Sequence, residues 1–197
     1  MITLVTGGVR SGKSRYAESL VPASRPVAYV APGLVPVDGD AEWARRVAAH
    51  RERRPACWTT VESADLAGVV AGASTPLLID CLGTWVTRLV DDAQAWDDPV
   101  AAAEAVGLAR EALVGALVEA RADARTDAPA GVDVAAGVDV VLVTNEVGWG
   151  VVPDHASGRL FRDELGRVNA AVSVVADRVA LVVAGRVLDL SSAPVVP

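Results

Sequence analysis

The sequence predicts an α/β fold: a single domain, residues 1–197, with a mostly parallel sheet flanked by helices. Three observations carry this. Short Val/Ile/Leu runs recur without in–out alternation, as in strands covered on both faces. Segments of helical periodicity separate them, the βαβ rhythm that builds parallel sheets. A glycine-rich turn joins the first strand directly to the first helix. The chain has 197 residues, of which 52% are hydrophobic, enough for one sizeable core and too few residues for two ordinary domains.

The first apolar run, 2–6, leads through the glycine turn into a helix over 13–20. Further strands are expected over 27–31, 58–61, 77–81, 138–144 and 179–183. Helices are expected over 41–50, 64–71, 84–91, 101–122 and 158–176. In the longest of these, Val106, Leu113, Val114, Leu117 and Val118 fall at helical spacing. The acidic, Pro-terminated stretch 91–99 reads as a loop. So does 126–137, where Ala130-Gly131-Val132-Asp133-Val134 recurs as Ala136-Gly137-Val138-Asp139-Val140. The second copy enters a strand, which leaves the first as a surface insertion. Residues 191–197 read as a flexible tail.

Charge narrows the class. The chain carries 18 basic and 25 acidic residues, a net charge of -7, which repels polyphosphate and anionic lipid surfaces at long range. Nucleic-acid binding is therefore not expected, although a local basic pocket for one nucleotide is compatible with it. Cys57 and Cys81 are too few for a disulfide framework and lack metal-ligand spacing. The opening Met1-Ile2-Thr3-Leu4-Val5 has no secretory pattern, and no apolar stretch is long enough to span a bilayer. A cytoplasmic protein without stable membrane insertion is the expectation.

Gly7-Gly8-Val9-Arg10-Ser11-Gly12-Lys13-Ser14 fits G-x4-G-K-[ST], after a strand and before a helix, the context that motif needs. Its glycines let backbone N–H groups and the helix N-terminus wrap phosphates. Lys13 is expected to reach the β- and γ-phosphates, and the Ser14 hydroxyl to hold Mg²⁺. Lys13 is also the only lysine among the 18 basic residues; a compact ammonium is kept at the one place where it differs usefully from a guanidinium. Such a loop wants a carboxylate for the metal. Asp80 ends the run Leu77-Leu78-Ile79-Asp80 at the carboxyl edge, where ligands of these sheets bind. Asp80 either serves the metal or caps the helix that follows.

His50 is one of two histidines and lies among Arg45, Arg46, Arg51, Arg53 and Arg54, five arginines in ten residues. Such a run is commonly a solvated helix end. The alternative is that the arginines grip a triphosphate while His50, kept neutral by its cationic neighbours, attacks the α-phosphate. His155 has no comparable surroundings and reads as an ordinary exposed residue.

With these motifs in place, the chain resembles the bifunctional adenosylcobinamide kinase / adenosylcobinamide-phosphate guanylyltransferases of cobalamin synthesis. The resemblance runs from Thr6 to about Gly185 and is loose over 91–137. It rests on the phosphate loop, on Asp40-Ala41-Glu42-Trp43 leading to Arg46-Val47-Ala48-Ala49-His50-Arg51, and on Arg54-Pro55 with Trp58 and Val61-Glu62. Leu78-Ile79-Asp80-Cys81-Leu82, Thr84-Trp85-Val86-Thr87, Phe161-Arg162-Asp163 and Gly166-Arg167-Val168-Asn169 belong to it as well. Most specific is Val143-Thr144-Asn145-Glu146-Val147-Gly148-Trp149-Gly150-Val151-Val152-Pro153.

The resemblance implies a recombinase-like phosphate-loop fold, a homotrimer, and two reactions. ATP or GTP phosphorylates adenosylcobinamide; GTP then gives GMP to adenosylcobinamide phosphate through a guanylylated histidine, leaving adenosylcobinamide-GDP and pyrophosphate. His50 matches that histidine. Arg51, Glu52, Arg53, Arg54, Glu62 and Asp80 match nucleotide-binding positions, and a Glu62 carboxylate suits guanine, which offers N1–H and an exocyclic amine. Otherwise Glu62 is an exposed strand-end acid. Ala31, Pro32 and Gly33 stand where the family carries small hydroxyl residues beside the nucleotide; here only backbone groups can serve, and Pro32 has no N–H. The 148–153 loop, Arg162 and Asn169 are expected to wall the corrinoid or a neighbouring subunit, with Trp149 stacking on a ligand or simply packing. Two other readings stand beside this one. One is a phosphotransferase with His50 as a spectator. The other is a nucleotide switch, although a chain whose one lysine is Lys13 cannot carry the Asn-Lys-x-Asp guanine motif.

Overall fold

The computed structural model describes residues 1–33, 45, 48, 51–52, 54–126 and 138–196. Among these residues, seven strands form one sheet in the order β3-β2-β4-β5-β1-β6-β7. They are β1 (Ile2–Gly7), β2 (Ala28–Ala31), β3 (Thr59–Glu62), β4 (Leu77–Asp80), β5 (Val140–Val143), β6 (Arg178–Val183) and β7 (Arg186–Asp189). All neighbours are parallel except β6 and β7, so the α/β class expected from the sequence is the one observed. The helices described over their full range are α1 (Lys13–Leu20), α2 (Leu66–Ala71), α3 (Leu82–Asp92), α4 (Pro99–Thr126) and α5 (Ala156–Val175). Of the helix expected over 41–50, only Arg45 and Ala48 are described, both helical; the rest lies outside the described residues, as does 127–137 of the expected insertion.

The core explains why the strands show no alternation in sequence. Successive side chains leave a strand on opposite faces, and here both faces are covered. Leu4, Val30, Leu77, Ile79, Val140 and Leu142 meet Trp85, Leu113, Leu117, Leu165 and Val172 of the helical layer formed by α3, α4 and α5. Their neighbours Val5, Tyr29, Leu78, Val141 and Val143 pack on the other face with Ala17 of α1, Val21 and Trp58. The same alternation puts Asp80, two residues after Leu78, on the face of α1 and the phosphate loop. Thr6 and Thr144 go to the face of α5.

Several element boundaries shift by a few residues from the sequence expectation, and the following differences have a local reason. Helix α3 begins at Leu82 rather than at 84. Cys81 is its N-cap, and the Thr84 hydroxyl donates to the Cys81 carbonyl at 2.9 Å. The stretch 91–99 is not all loop: Asp91 and Asp92 finish α3, and Pro99 starts α4. Asp98 caps α4 by accepting from the N–H groups of Val100 and Ala101, each at 3.1 Å, with Pro99 in the first helical position, where its missing N–H costs nothing. The antiparallel strand β7 was not expected. It returns through a two-residue turn at Ala184 (φ 50°) and Gly185 (φ 75°). Tight hairpins need both central residues at positive φ and usually announce themselves with Asn-Gly or Asp-Gly. At the chain's end, Ser191 is tied down: its N–H and hydroxyl donate to Asp189 and its oxygen accepts from the N–H of Val179.

Leu142 lies fully buried at the centre of the sheet. Leu142→Ala should cost about 2–5 kcal/mol, the usual range for an aliphatic core truncation. A denaturant melt read by circular dichroism measures it, and a change below about 1 kcal/mol would contradict this packing.

Candidate active site at the carboxyl edge of the sheet

The strand β1 runs into the phosphate loop at Gly7. A Cβ on Gly7 would collide with the Val182 carbonyl of β6 and lie 2.8 Å from Ser11 Oγ, so only glycine fits between them. The loop then closes on itself: the Ser11 N–H donates to the Gly8 carbonyl at 3.3 Å, and the Lys13 ammonium folds back onto that carbonyl at 3.3 Å. Arg10 takes a left-handed backbone at φ 57°, unusual for a side chain of that size. Gly12 (φ 99°) precedes α1 and makes no side-chain cap, so the first N–H groups of α1 are not capped by Gly12. Val9, Arg10 and Gly12 are exposed, Lys13 and Ser14 half-buried, and the Ser11 hydroxyl is buried without a hydrogen-bond partner among the described residues.

The loop is braced from behind by the hairpin that the sequence did not announce. The Gly185 N–H donates to the Ser11 carbonyl at 3.0 Å, and the position of a Gly12 Cβ is 3.9 Å from the Gly185 Cα. A backbone contact of this kind leaves no side-chain signature.

One strand, β5, separates β1 from β4, so Asp80 stands two strand spacings, about 10 Å, from the end of β1. Asp80 does not cap α3, a role taken by Cys81; its Oδ2 accepts from the Tyr29 hydroxyl at 3.0 Å. Burial, and then the Asp80 carboxylate, push the Tyr29 phenol well above its ordinary range, so Tyr29 stays a neutral donor, while the nearby Arg54 cation pulls the other way. The Arg54 guanidinium lies 3.3 Å from the centre of the Tyr29 ring, and its Nη1 donates to Thr60 Oγ1 at 3.0 Å. Arg51 pairs with Glu62 at 2.6 Å, with side chains 54% and 40% exposed. Screening by solvent makes that pair weak and exchangeable. Glu52 is exposed on the same turn, and His50 and Arg53 lie outside the described residues.

Ala31 pairs with Glu62 across β2 and β3. Pro32 is buried, and Gly33 packs on Thr84 at the start of α3, where an added Cβ would come within 2.8 Å of Thr84 Cβ. The turn after β2 is thereby held against the helix that follows Asp80.

On the α5 side, a polar network missed by the sequence closes the edge. Thr144 donates to Asn169 Oδ1 at 2.6 Å, and Asn169 Nδ2 reaches the Asn145 carbonyl at 3.0 Å and Glu146 Oε1 at 3.3 Å. Thr6 donates to the same Glu146 Oε1 at 2.7 Å, and the Glu146 N–H reaches the Gly7 carbonyl at 3.3 Å. Asn169 thus acts on the strand ends rather than as an open wall. Arg162 and Arg159 of α5 hold the following loop through the carbonyls of Gly148, Pro153 and Asp154, and leave Trp149 71% exposed. His155 is exposed and contacts Asp154 at 3.0 Å. Among the described residues, no cluster of three or more His, Cys, Asp or Glu could cage a metal, and no helix is long and apolar enough to cross a membrane.

A strand–GxxxxGKS–helix turn at the carboxyl edge of a parallel sheet, with an acid on the same face two strands away, defines a phosphate-loop nucleotide-binding protein. The family model for cobinamide kinase / cobinamide phosphate guanyltransferase matches residues 3–190, and the chain belongs to that family, as the resemblance in its motifs implies. It is 39% identical over 189 residues to the bifunctional adenosylcobalamin biosynthesis protein CobU of Escherichia coli K12, covering 94% of this chain and 97% of that relative. It is 37% identical to the protein of the same name from Salmonella typhimurium LT2 (94% and 97% covered). Identity is also 37% to the bifunctional adenosylcobalamin biosynthesis protein CobP of Pseudomonas aeruginosa PAO1 (98% and 99% covered). By family it is a two-activity enzyme, kinase and guanyltransferase.

Lys13→Ala should lower both activities by about 10²-fold or more, the usual cost of losing one preorganised charge donor. Lys13→Arg should not restore them fully, since a guanidinium has a different shape and reach; steady-state assays of each step decide it, and unimpaired guanylylation would reveal a second nucleotide site. Gly185→Val puts a β-branched residue at φ 75° behind the loop. It should raise the nucleotide KM several-fold with a smaller change in overall stability, and an unchanged KM would show that the hairpin does not brace the loop.

Proposed function

We propose that this chain phosphorylates adenosylcobinamide with ATP or GTP and then transfers GMP from GTP onto the product through His50. The observation that carries the role of His50 is the anchoring of the arginine segment that follows it. A merely solvated helix end would leave its arginines in water. Here Arg54 is stacked on Tyr29, whose hydroxyl is bonded to Asp80, and Arg51 is paired with Glu62 at the end of β3. The Arg54 anchor, Tyr29, belongs to a strand ending at the edge where the phosphate loop opens, and Glu62, the looser partner of Arg51, ends another; this supports a nucleophile working at that edge.

In the transfer, a ring nitrogen of His50 attacks the α-phosphorus of GTP. An N–P bond forms, the α–β P–O bond breaks, and pyrophosphate leaves with the electron pair. An oxygen of the corrinoid phosphate then attacks the same phosphorus and releases the histidine. Two displacements replace one difficult step. Lys13 and the loop N–H groups would hold the β- and γ-phosphates, with Gly7, Gly8, Val9, Arg10, Ser11 and Gly12 supplying the cradle. The Ser11 hydroxyl, buried and without a partner among the described residues, supports a phosphate there, since an acceptor oxygen offsets the cost of leaving that group unpaired. Ala31, Pro32 and Gly33 would border the nucleotide, Arg51, Glu52, Arg53 and Arg54 its charge, and Glu62 its base, exchanging Arg51 for the two guanine donors.

Mg²⁺ fits the donors present. It is usually bound by one or two protein oxygens, with waters and phosphates completing the shell. Ser14 and Asp80, hard oxygen ligands on the same face of the sheet, would hold it. Bound there, the ion would neutralise phosphate charge. On the resemblance alone, the active form is a homotrimer, which sedimentation of the purified protein checks.

The test is covalent chemistry. Incubation with α-labelled GTP and Mg²⁺ should leave an acid-labile, alkali-stable label, the behaviour of a phosphoramidate. His50→Ala should abolish that label and guanylyl transfer while phosphorylation of the corrinoid persists. A label of undiminished yield in the variant would remove His50 from the mechanism.

A further inference from the structure

The network on the α5 side holds a carboxylate in an unusual state of partnership. Both hydrogen bonds that Glu146 accepts, from Thr6 Oγ1 at 2.7 Å and Asn169 Nδ2 at 3.3 Å, fall on Oε1. Among the described residues Oε2 accepts none, and the side chain is half-buried. A carboxylate needed only to tie strand ends would share its acceptors between its oxygens. Here one oxygen is clamped by two elements, β1 and α5, and the other is left for something else.

Its place in the fold says what that is. Glu146 follows β5, the strand between the phosphate loop of β1 and Asp80 of β4. Its backbone is bonded to Gly7, the first residue of the loop, at 3.3 Å. It also stands directly before the 148–153 loop, which Arg162 and Arg159 hold open with Trp149 exposed. Glu146 therefore stands at the sheet edge between the phosphate loop and the 148–153 loop. Clamping also costs less at the moment of reaction, because Thr6 and Asn169 already fix the carboxylate's orientation.

We propose that Glu146 is the general base of the phosphorylation step. The inference rests on the kinase reading above. As the substrate hydroxyl attacks the γ-phosphorus, a new P–O bond forms and the γ-phosphorus–oxygen bond to the nucleoside diphosphate breaks. The diphosphate leaves with the electron pair, and the hydroxyl proton passes to Glu146 Oε2 and later to solvent. The guanylylation of His50 involves no such hydroxyl, so Glu146 has no chemical part in it.

Glu146→Gln tests this cleanly. The amide oxygen still accepts from Thr6 and Asn169, so the clamp survives, while the basic oxygen becomes an NH₂. Phosphorylation kcat should fall by about 10²–10⁴-fold, the usual worth of a general base. The nucleotide KM should move little, and the α-labelled GTP adduct should still form. Glu146→Asp, which withdraws the carboxylate by one methylene, should recover part of the rate and keep an acid limb in its pH–rate profile, which the Gln variant lacks. A purely structural carboxylate would instead give parallel losses in both activities with a raised nucleotide KM, or no loss at all, and either result overturns the assignment. If the unaltered protein fails to phosphorylate a cobinamide, the kinase reading itself falls. A competent wild type with an equally competent Gln variant sinks the base alone.

Discussion

Parallel pairing of β1 with β5 on one side and β6 on the other is the constraint from which the site follows. Its register sets Val5 beside Val143 and Gly7 beside Val182, so three strands end together and hand their next residues to the same edge. Those next residues are the phosphate loop, the Thr144-Asn145-Glu146 turn and the hairpin behind the loop. A slip of one residue would send each buried side chain to the opposite face and turn Thr6 away from Glu146. With both faces filled by aliphatic side chains, such a slip would cost several kcal/mol, and the edge is correspondingly firm.

What could be read in the sequence was what is contiguous. The phosphate loop is eight consecutive residues between a strand and a helix, and the apolar runs mark the strands because both faces are buried. The alternation that decides which face each residue joins was invisible for the same reason: Leu77, Leu78 and Ile79 are all aliphatic, and only pairing shows that the first and third face α3–α5 while the second faces α1. The Tyr29–Asp80 bond and the Thr6–Glu146 bond join residues 51 and 140 positions apart, beyond any local pattern. Hairpin β6–β7 escaped because alanine occupies a positive-φ position. Asp98 and Pro99 were legible as a helix start, yet their acidity and proline also suit a loop.

The arginine-rich segment shows how an acidic chain can concentrate positive charge locally. At a net charge of -7 the long-range field disfavours polyanions. Close up, arginine is useful for its plane as much as its charge: Arg54 spends its face on Tyr29 and one edge on Thr60. Arg51, paired in solvent with Glu62, is held more loosely. Neighbouring guanidiniums thus divide between framework and exchangeable partner, which a count of basic residues does not reveal.

The strand order has a consequence for synthesis. Because β1 sits between β5 and β6, it has no sheet neighbour until β5 (Val140–Val143) has been made. The loop that follows it gains its brace later still, when Gly185 emerges. A nascent chain therefore carries its phosphate loop well before the frame that shapes it, and hairpin β6–β7 completes that frame.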